Sequence, residues 1–243
     1  MQLSERCYAV TGLAYTLPWM VNAGFVVGDE ETLIVDTGAN ALAAATIHGY
    51  ATAVRPENRL RVINSEKHFD HIGGNGFFQE LDTPIHGHSG IARTPSEFAQ
   101  ERAGFHPAFH YATPLANPGI AIAEDTFFEL GSCRVEVLLT PGHTATNISI
   151  YVPEDGVLYC GDCLVNQYEP NLDAAGGLAD WRLWLESLDR IETLAPQVIV
   201  CGHGPIAHGE DIPGVIARVR AAIHQRVAAA LAITTAEPED IDS

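Results

Sequence analysis

The chain has 243 residues, 47% of them hydrophobic, with 31 acidic against 13 basic side chains and a formal net charge of −18. This length suits one domain spanning 1–243, and the apolar fraction provides a large core and excludes wholesale disorder. The charge argues against a nucleic-acid partner: phosphate backbones repel such a surface, binding them needs clustered Lys and Arg, and Lys67 is the only lysine.

In chain order, the N-terminal stretch MQLSERCYAVTGLAYTLPWM lacks the basic head, apolar run and small-residue cleavage site of a secretory signal. Strand patterns follow at Tyr8 to Val10, Gly24 to Val27 and Leu33 to Val35, with turn signals at Gly28-Asp29 and Gly38. Residues 41 to 54 are Ala-rich and favour helix, and Leu60 to Ile63 is a short apolar strand. Its C-terminal end runs straight into Ser65-Glu66-Lys67-His68-Phe69-Asp70-His71, then Gly73-Gly74. From Thr83 to about Asn117 the pattern is irregular. A short helix is expected near Ser96 to Arg102, and the passage with Phe105, His106, Phe109, His110 and Tyr111 reads equally as a lid or as a surface excursion. Strands resume at Thr126 to Leu130, Val135 to Leu139, Ile148 to Val152 and Val157 to Cys160. Asp180 is expected to cap an amphipathic helix bearing Trp181, Trp184, Leu185, Leu188 and Ile191 on one face, with the tryptophans in the core. Val198 to Val200 then leads into Cys201-Gly202-His203-Gly204, and Val215, Val219, Ile223 and Val227 mark a last helix. Two β-rich halves, each followed by helices, predict an α/β fold of sheets packed between helical layers.

No stretch approaches the roughly 20 apolar residues of a membrane-spanning helix. The five cysteines, Cys7, Cys133, Cys160, Cys163 and Cys201, form an odd, scattered set. A reduced, cytoplasmic setting with no membrane association is therefore expected.

Glu66, His68, Asp70 and His71 put four potential metal ligands into six residues at a strand end. Alternation places Glu66, His68 and Asp70 on one side of extended backbone and turns His71 to the other flank, an arrangement that serves two ions better than one. Three later segments repeat a strand end, a glycine and a ligand-type residue: Pro141-Gly142-His143, Cys160-Gly161-Asp162 and Cys201-Gly202-His203. In each, the glycine allows close backbone approach.

These segments, with Val35-Asp36-Thr37-Gly38 and Gly202-His203-Gly204-Pro205, resemble the metallo-β-lactamase superfamily across nearly the whole chain. The resemblance implies an αββα four-layer sandwich. It also implies one ion held by Glu66, His68 and His143, a second by Asp70, His71 and His203, Asp162 bridging both, and Asp36 as a buried support. The family's cluster usually opens with His where this chain has Glu66. As a ligand, this carboxylate would weaken the Lewis acidity of its ion and move preference from zinc toward manganese or iron; if it turned away, only the other ion would be held tightly.

The expected cofactor is zinc, two ions per chain, with iron or manganese as alternatives. The expected reaction is hydrolysis of an ester, thioester, lactone or amide of a small molecule by a metal-bound hydroxide, with Asp70 as the catalytic residue that orients it and shuttles its proton. β-Lactam hydrolysis is the nearest alternative. It is placed lower because no export signal is present and because Asn166 stands where many such enzymes use a lysine to hold the drug's carboxylate. Glyoxalase II-like thioester hydrolysis fits the fold, but Arg218, Arg220 and Arg226 read as a solvated helix face rather than a site for glutathione's charges, so an uncharged or weakly charged acyl substrate is preferred. Iron-dependent oxidation is a third option. His86 and His88 are candidates for the surroundings of the metals, and Trp19-Met20 for a pocket or interface.

Overall fold

The computed structural model describes residues 1–13, 20–104, 114 and 116–235. Strands β1 (Cys7–Val10), β2 (Ala23–Val27) and β3 (Glu31–Val35) form the expected antiparallel meander. Helix α1 (Ala41–Val54) follows, its first turn capped by Asn40, whose side chain accepts from the Ala43 N–H at 2.9 Å. It returns the chain to β4 (Arg59–Asn64), which pairs parallel to β3. The short helices α2 (Phe69–Ile72) and α3 (Asn75–Glu80), strand β5 (Ile85–His88), helix α4 (Pro95–Gly104) and strand β6 (Ile120–Ile122) complete a six-stranded sheet of order β1-β2-β3-β4-β5-β6.

The second half contains β7 (Thr126–Glu129), β8 (Arg134–Leu139), β9 (Ile148–Val152), β10 (Val157–Tyr159), helix α5 (Leu178–Leu194), β11 (Val198–Val200), β12 (Ala207–His208) and helix α6 (Ile212–Thr235). Its sheet runs β12-β11-β10-β9-β8-β7, antiparallel except for the β10–β11 pair.

Side-chain alternation turns these elements into layers. Leu33 and Val35 point inward with Val26 and Ile63 and meet Val135, Val137, Ile148, Ile150 and Val157 of the other sheet. Ile34, between them, points outward with Phe25 and Val62 onto Ala44, Ile47 and Ala51 of α1. On the far side, Leu158 and Ile199 of the second sheet pack against Trp181, Trp184, Leu188 and Ile191 of α5 and Val215, Val219 and Ile223 of α6. Helix, sheet, sheet, helix is thus the order of layers, and both tryptophans lie in the core as the sequence predicts.

The structure departs from expectation at three strands and one helix cap. Strands β5, β6 and β12 carry two histidines and a glycine, an exposed edge, and only two residues respectively, so alternation alone could not mark them. Asp180 is not the cap of α5: Gly177 holds that position, and Asp180 in the first turn reaches back to accept the Gly176 N–H at 2.7 Å. Arg218, Arg220 and Arg226 form the largely solvated face expected of them, and each also meets a neighbour across it. Arg218 donates to Asn166 Oδ1 at 2.8 Å, Arg220 to Asp189 and Glu192 of α5, and Arg226 to Asp173. Among the described residues, no helix is long and apolar enough to cross a membrane. All five cysteines are free and buried.

Candidate metal centre

Every ligand-type residue singled out from the sequence lies just beyond the C-terminal end of a strand, at one rim of the two sheets. Glu66 and His68 follow β4, Asp70 and His71 sit on α2, and His143, Asp162 and His203 follow β8, β10 and β11. Two close approaches need glycine here. A Cβ on Gly202 would fall 1.9 Å from Asp162 Oδ1, and one on Gly142 would fall 2.3 Å from the Trp184 ring.

The seven side chains form two clusters, Glu66, His68, His143 and Asp162, and Asp70, His71 and His203; within each, the ligand atoms lie within 4.8 Å of one another. In the first, Glu66 Oε1 is 2.8 Å from His68 Nδ1, and His143 Nε2 is 3.1 Å from the same nitrogen. Glu66 is fully buried, so its carboxylate faces the cluster. In the second, His203 Nε2 is 3.2 Å from Asp70 Oδ2. Asp162 joins the two: its oxygens lie 3.4 Å from His143 Nε2, 3.3 Å from His71 Nε2 and 3.3 Å from His203 Nε2.

Charge is concentrated in this space. Burial, the largest single influence on the three carboxyls, disfavours their ionisation, yet the imidazoles around them outweigh it. His68 and His71 hold Glu66 below its ordinary value, His71 and His203 bring Asp70 down to about 2, and His203 and His71 hold Asp162 well below the usual carboxylate range. Burial likewise opposes the cationic forms of His71 and His203, but Asp36, Asp162 and Asp70 around the first and Asp162 and Asp70 around the second raise both well above the ordinary imidazole value. His143 goes the other way, because there burial prevails over the nearby carboxylates.

A second layer aims the ligands. Asp36, in a left-handed backbone conformation at φ 63, accepts the His71 Nδ1–H at 2.9 Å and two bonds from Ser65, N–H at 2.7 Å and Oγ at 2.6 Å. His203 Nδ1 donates to the Met20 carbonyl at 3.1 Å. With Nδ1 so engaged, both rings turn Nε2 inward. The His203 segment is gripped from both sides. Asn22 gives its N–H to the Gly202 carbonyl at 2.8 Å and its Nδ2 to the carbonyls of Cys201 and Gly204, each at 2.8 Å. Asn166 gives its N–H to the His203 carbonyl at 3.0 Å and its Nδ2 to the Pro205 carbonyl at 2.8 Å.

Sequence reasoning missed Asn22 and Ser65, since neither stands in a motif. It also pointed at residues that serve elsewhere. His86 lies 3.3 Å from the Val62 carbonyl and packs edge-on against Phe128, and His88 accepts the Gly90 N–H of its own turn. Trp19, Phe105, His106, Phe109, His110 and Tyr111 lie outside the described residues.

Comparison with known proteins shows the family of the chain. A model of the metallo-beta-lactamase superfamily matches residues 16–203. A probable metallo-hydrolase of Bacillus subtilis is 26% identical over 190 residues, 77% of this chain and 87% of that protein. A hydroxyacylglutathione hydrolase of Rhodospirillum rubrum is 30% identical over 146 residues, 58% of this chain but only 47% of that protein, so the chain spans about half of this relative's length. Among solved structures, a metallo-beta-lactamase from Pontibacter korlensis superposes with a TM-score of 0.69 at 19% identity, covering 92% of this chain and 97% of that one. A metallo-beta-lactamase family protein from Thermus thermophilus gives 0.64 at 25% identity, covering 94% and 81%. Since the family match spans most of the chain and takes in every residue of both ligand clusters, the protein belongs to the metallo-beta-lactamase superfamily.

Proposed function

We propose that the chain is a metal-dependent hydrolase acting on an ester, thioester, lactone or amide of a small, uncharged or weakly charged molecule, with two ions, zinc by first expectation, at the rim site. The observation that carries this reading is a pair of orphaned atoms. His71 Nε2 and Asp162 Oδ1 are buried without a hydrogen-bond partner, and they lie 3.3 Å apart. Buried polar atoms are rarely left so. Imidazole nitrogens and carboxylate oxygens converging from four strand ends are a donor set that a divalent cation satisfies.

Glu66, His68 and His143 would hold one ion and Asp70, His71 and His203 the other, with Asp162 between them. When bound, the ions supply a water acidic enough to ionise near neutral pH and an electrophile for the carbonyl oxygen. Asp70, whose carboxyl His71 and His203 hold well below its ordinary value, would orient the attacking water at its carboxylate and accept the proton released there. Asp36 keeps His71 in the tautomer that faces inward, and Met20 does the same for His203.

Two details favour an uncharged substrate over an anionic one. The Asn166 amide is engaged at both ends, donating to Pro205 and accepting from Arg218, and carries no charge with which to hold the carboxylate of a β-lactam. Arg220 and Arg226 are each paired with acidic side chains. The similarity to hydroxyacylglutathione hydrolase keeps thioesters within the class. Plasma mass spectrometry of protein purified without added metal, together with an ester, lactone, thioester and β-lactam panel, tests the proposal. Close to two ions per chain, lost in His68→Ala and His203→Ala along with turnover, is the expected result. Metal content unchanged by those substitutions would overturn the site, and iron at one per chain without hydrolysis would favour an oxidative reaction instead.

A further inference from the structure

Beside the rim lies a pocket of about 450 Å³, within the range of small-molecule sites. Its walls are largely apolar, with Met20, Tyr168, Pro205 and Ile206 among them, and the polar groups are the side chains of Thr11, Asn22, Gln167 and His208. Among the described residues no Asp, Glu, Lys or Arg side chain lines it, in a chain carrying 44 such residues, 31 acidic and 13 basic. The terminal ammonium of Met1, also at the wall, is tied to the Ala9 carbonyl at 2.6 Å.

Its position relative to the metal centre is fixed by His203. The Nε2 of that ring faces Asp70 at 3.2 Å, while its Nδ1 donates to the carbonyl of Met20, a pocket residue, at 3.1 Å. Gly204 and Pro205, which follow His203, continue the same wall. His203 therefore touches both, its Nε2 at the cluster of ligand atoms and its Nδ1 at a residue of the pocket wall. The wall is also held rigidly. Asn22 and Asn166 clamp its backbone, and Gln167 is kept in the left-handed region at φ 63, a conformation that a non-glycine residue retains only when its surroundings impose it.

We propose that this pocket receives the uncharged, mainly apolar acyl arm of the substrate whose carbonyl is cleaved at the metal centre. The inference rests on the hydrolase reading for its chemistry, but the pocket's preference for a neutral alkyl chain follows from its walls alone. An anionic arm would lose its hydration there while meeting no Lys or Arg side chain among the described residues, only the Met1 ammonium already bound to the Ala9 carbonyl, whereas each methylene that enters contributes about fourfold in binding.

The test uses the metal-loaded protein and p-nitrophenyl esters from acetate to hexanoate. The expected result is a KM that falls roughly fourfold per methylene over the first additions, with kcat changing little. Thr11→Trp, at an exposed position on the pocket wall, is expected to flatten that dependence by at least tenfold at hexanoate, and Leu42→Ser, on the outer face of α1, to leave it intact. Hydrolysis whose chain-length dependence is absent, or is the same in Thr11→Trp, would overturn the pocket while leaving the hydrolase reading standing. If no p-nitrophenyl ester is cleaved, the hydrolase reading is left to the thioester, lactone and amide substrates, and titration with hexanamide, followed by NMR shifts, decides the pocket. Binding lost in Thr11→Trp supports it, and no binding to the unsubstituted protein overturns it.

Discussion

Removing the Asn22 side chain should weaken one metal site while leaving the other alone. Asn22 is 4% exposed, and its Nδ2 satisfies the carbonyls of Cys201 and Gly204 on either side of His203. In Asn22→Ala both acceptors lose their partner. A buried acceptor left unsatisfied costs about 1–3 kcal/mol, and since the Gly204 bond is only partly buried the two together should cost about 2–4 kcal/mol. Urea unfolding of the metal-free protein reads this directly. The same loss frees the His203 segment to shift. Outer partners of metal ligands typically contribute 10- to 100-fold in affinity, so zinc titration against a competing chelator should show one binding step weakened by roughly that factor and one unchanged. Asn22→Asp, which keeps the shape but turns carboxylate oxygen toward both carbonyls, should weaken the same step at least as far. If stability falls as calculated while both binding steps keep their wild-type affinity, Asn22 supports the fold and does not position His203.

Other perturbations follow from the same structure. Asp36→Asn tolerates the left-handed backbone at φ 63 but gives up the carboxylate that accepts from both Ser65 and His71; metal affinity should fall 10- to 100-fold by the same titration, with the fold retained by circular dichroism. Trp184 is fully buried, donates to the Cys163 carbonyl at 2.9 Å and packs edge-on against His143, so Trp184→Ala should lose about 3–5 kcal/mol in urea unfolding. Burial pushes the Cys7 thiol up to about 12 and the Cys133 thiol up to about 11. A folded-state pKa raised above the unfolded value of about 8.5 contributes stability that is fully present below that pH and is lost as pH rises toward 11–12. Urea midpoints should therefore decline above pH 9, less steeply in Cys133→Ala, and a thiol reagent at pH 8 should label the native chain hardly at all but all five cysteines in urea.

What the sequence made legible was what lay close together in it. The Glu66 to His71 cluster is contiguous, and His143, Asp162 and His203 each repeat the same strand, glycine, ligand pattern, so seven residues from four places could be gathered before any geometry was available. Strands with strict alternation, such as Leu33 to Val35 and Ile148 to Val152, were equally plain. Asn22 was not, because the bond that gives it meaning crosses 179 residues to Cys201. The partners of the α6 arginines were hidden for a related reason: helical spacing says that they share a face, but not that Asp189, Glu192 and Asp173 lie opposite Arg220 and Arg226. Short strands fail similarly. Ile85–His88 becomes a strand because β4 and β6 flank it, in spite of its composition.

The carboxylate at position 66 links the metal centre to the choice of substrate. Three carboxylates, Glu66, Asp70 and Asp162, share the site with four imidazoles. Against them, two divalent ions would leave a net charge of about +1, where an imidazole at 66 would leave about +2. The ion beside Glu66 would thus be held by a harder donor and pull less strongly on a carbonyl, with a lean toward manganese or iron. It would also attract anions less, and the chain's overall charge of −18 works in the same direction over a longer range. A substrate held by electrostatic capture would have to rely on Arg93, a cation within electrostatic reach of Glu66 and Asp70. One held instead by burial of an apolar arm next to His203 would lose nothing by that charge balance, which is why the neutral pocket and the acidic centre belong to one reading of the site.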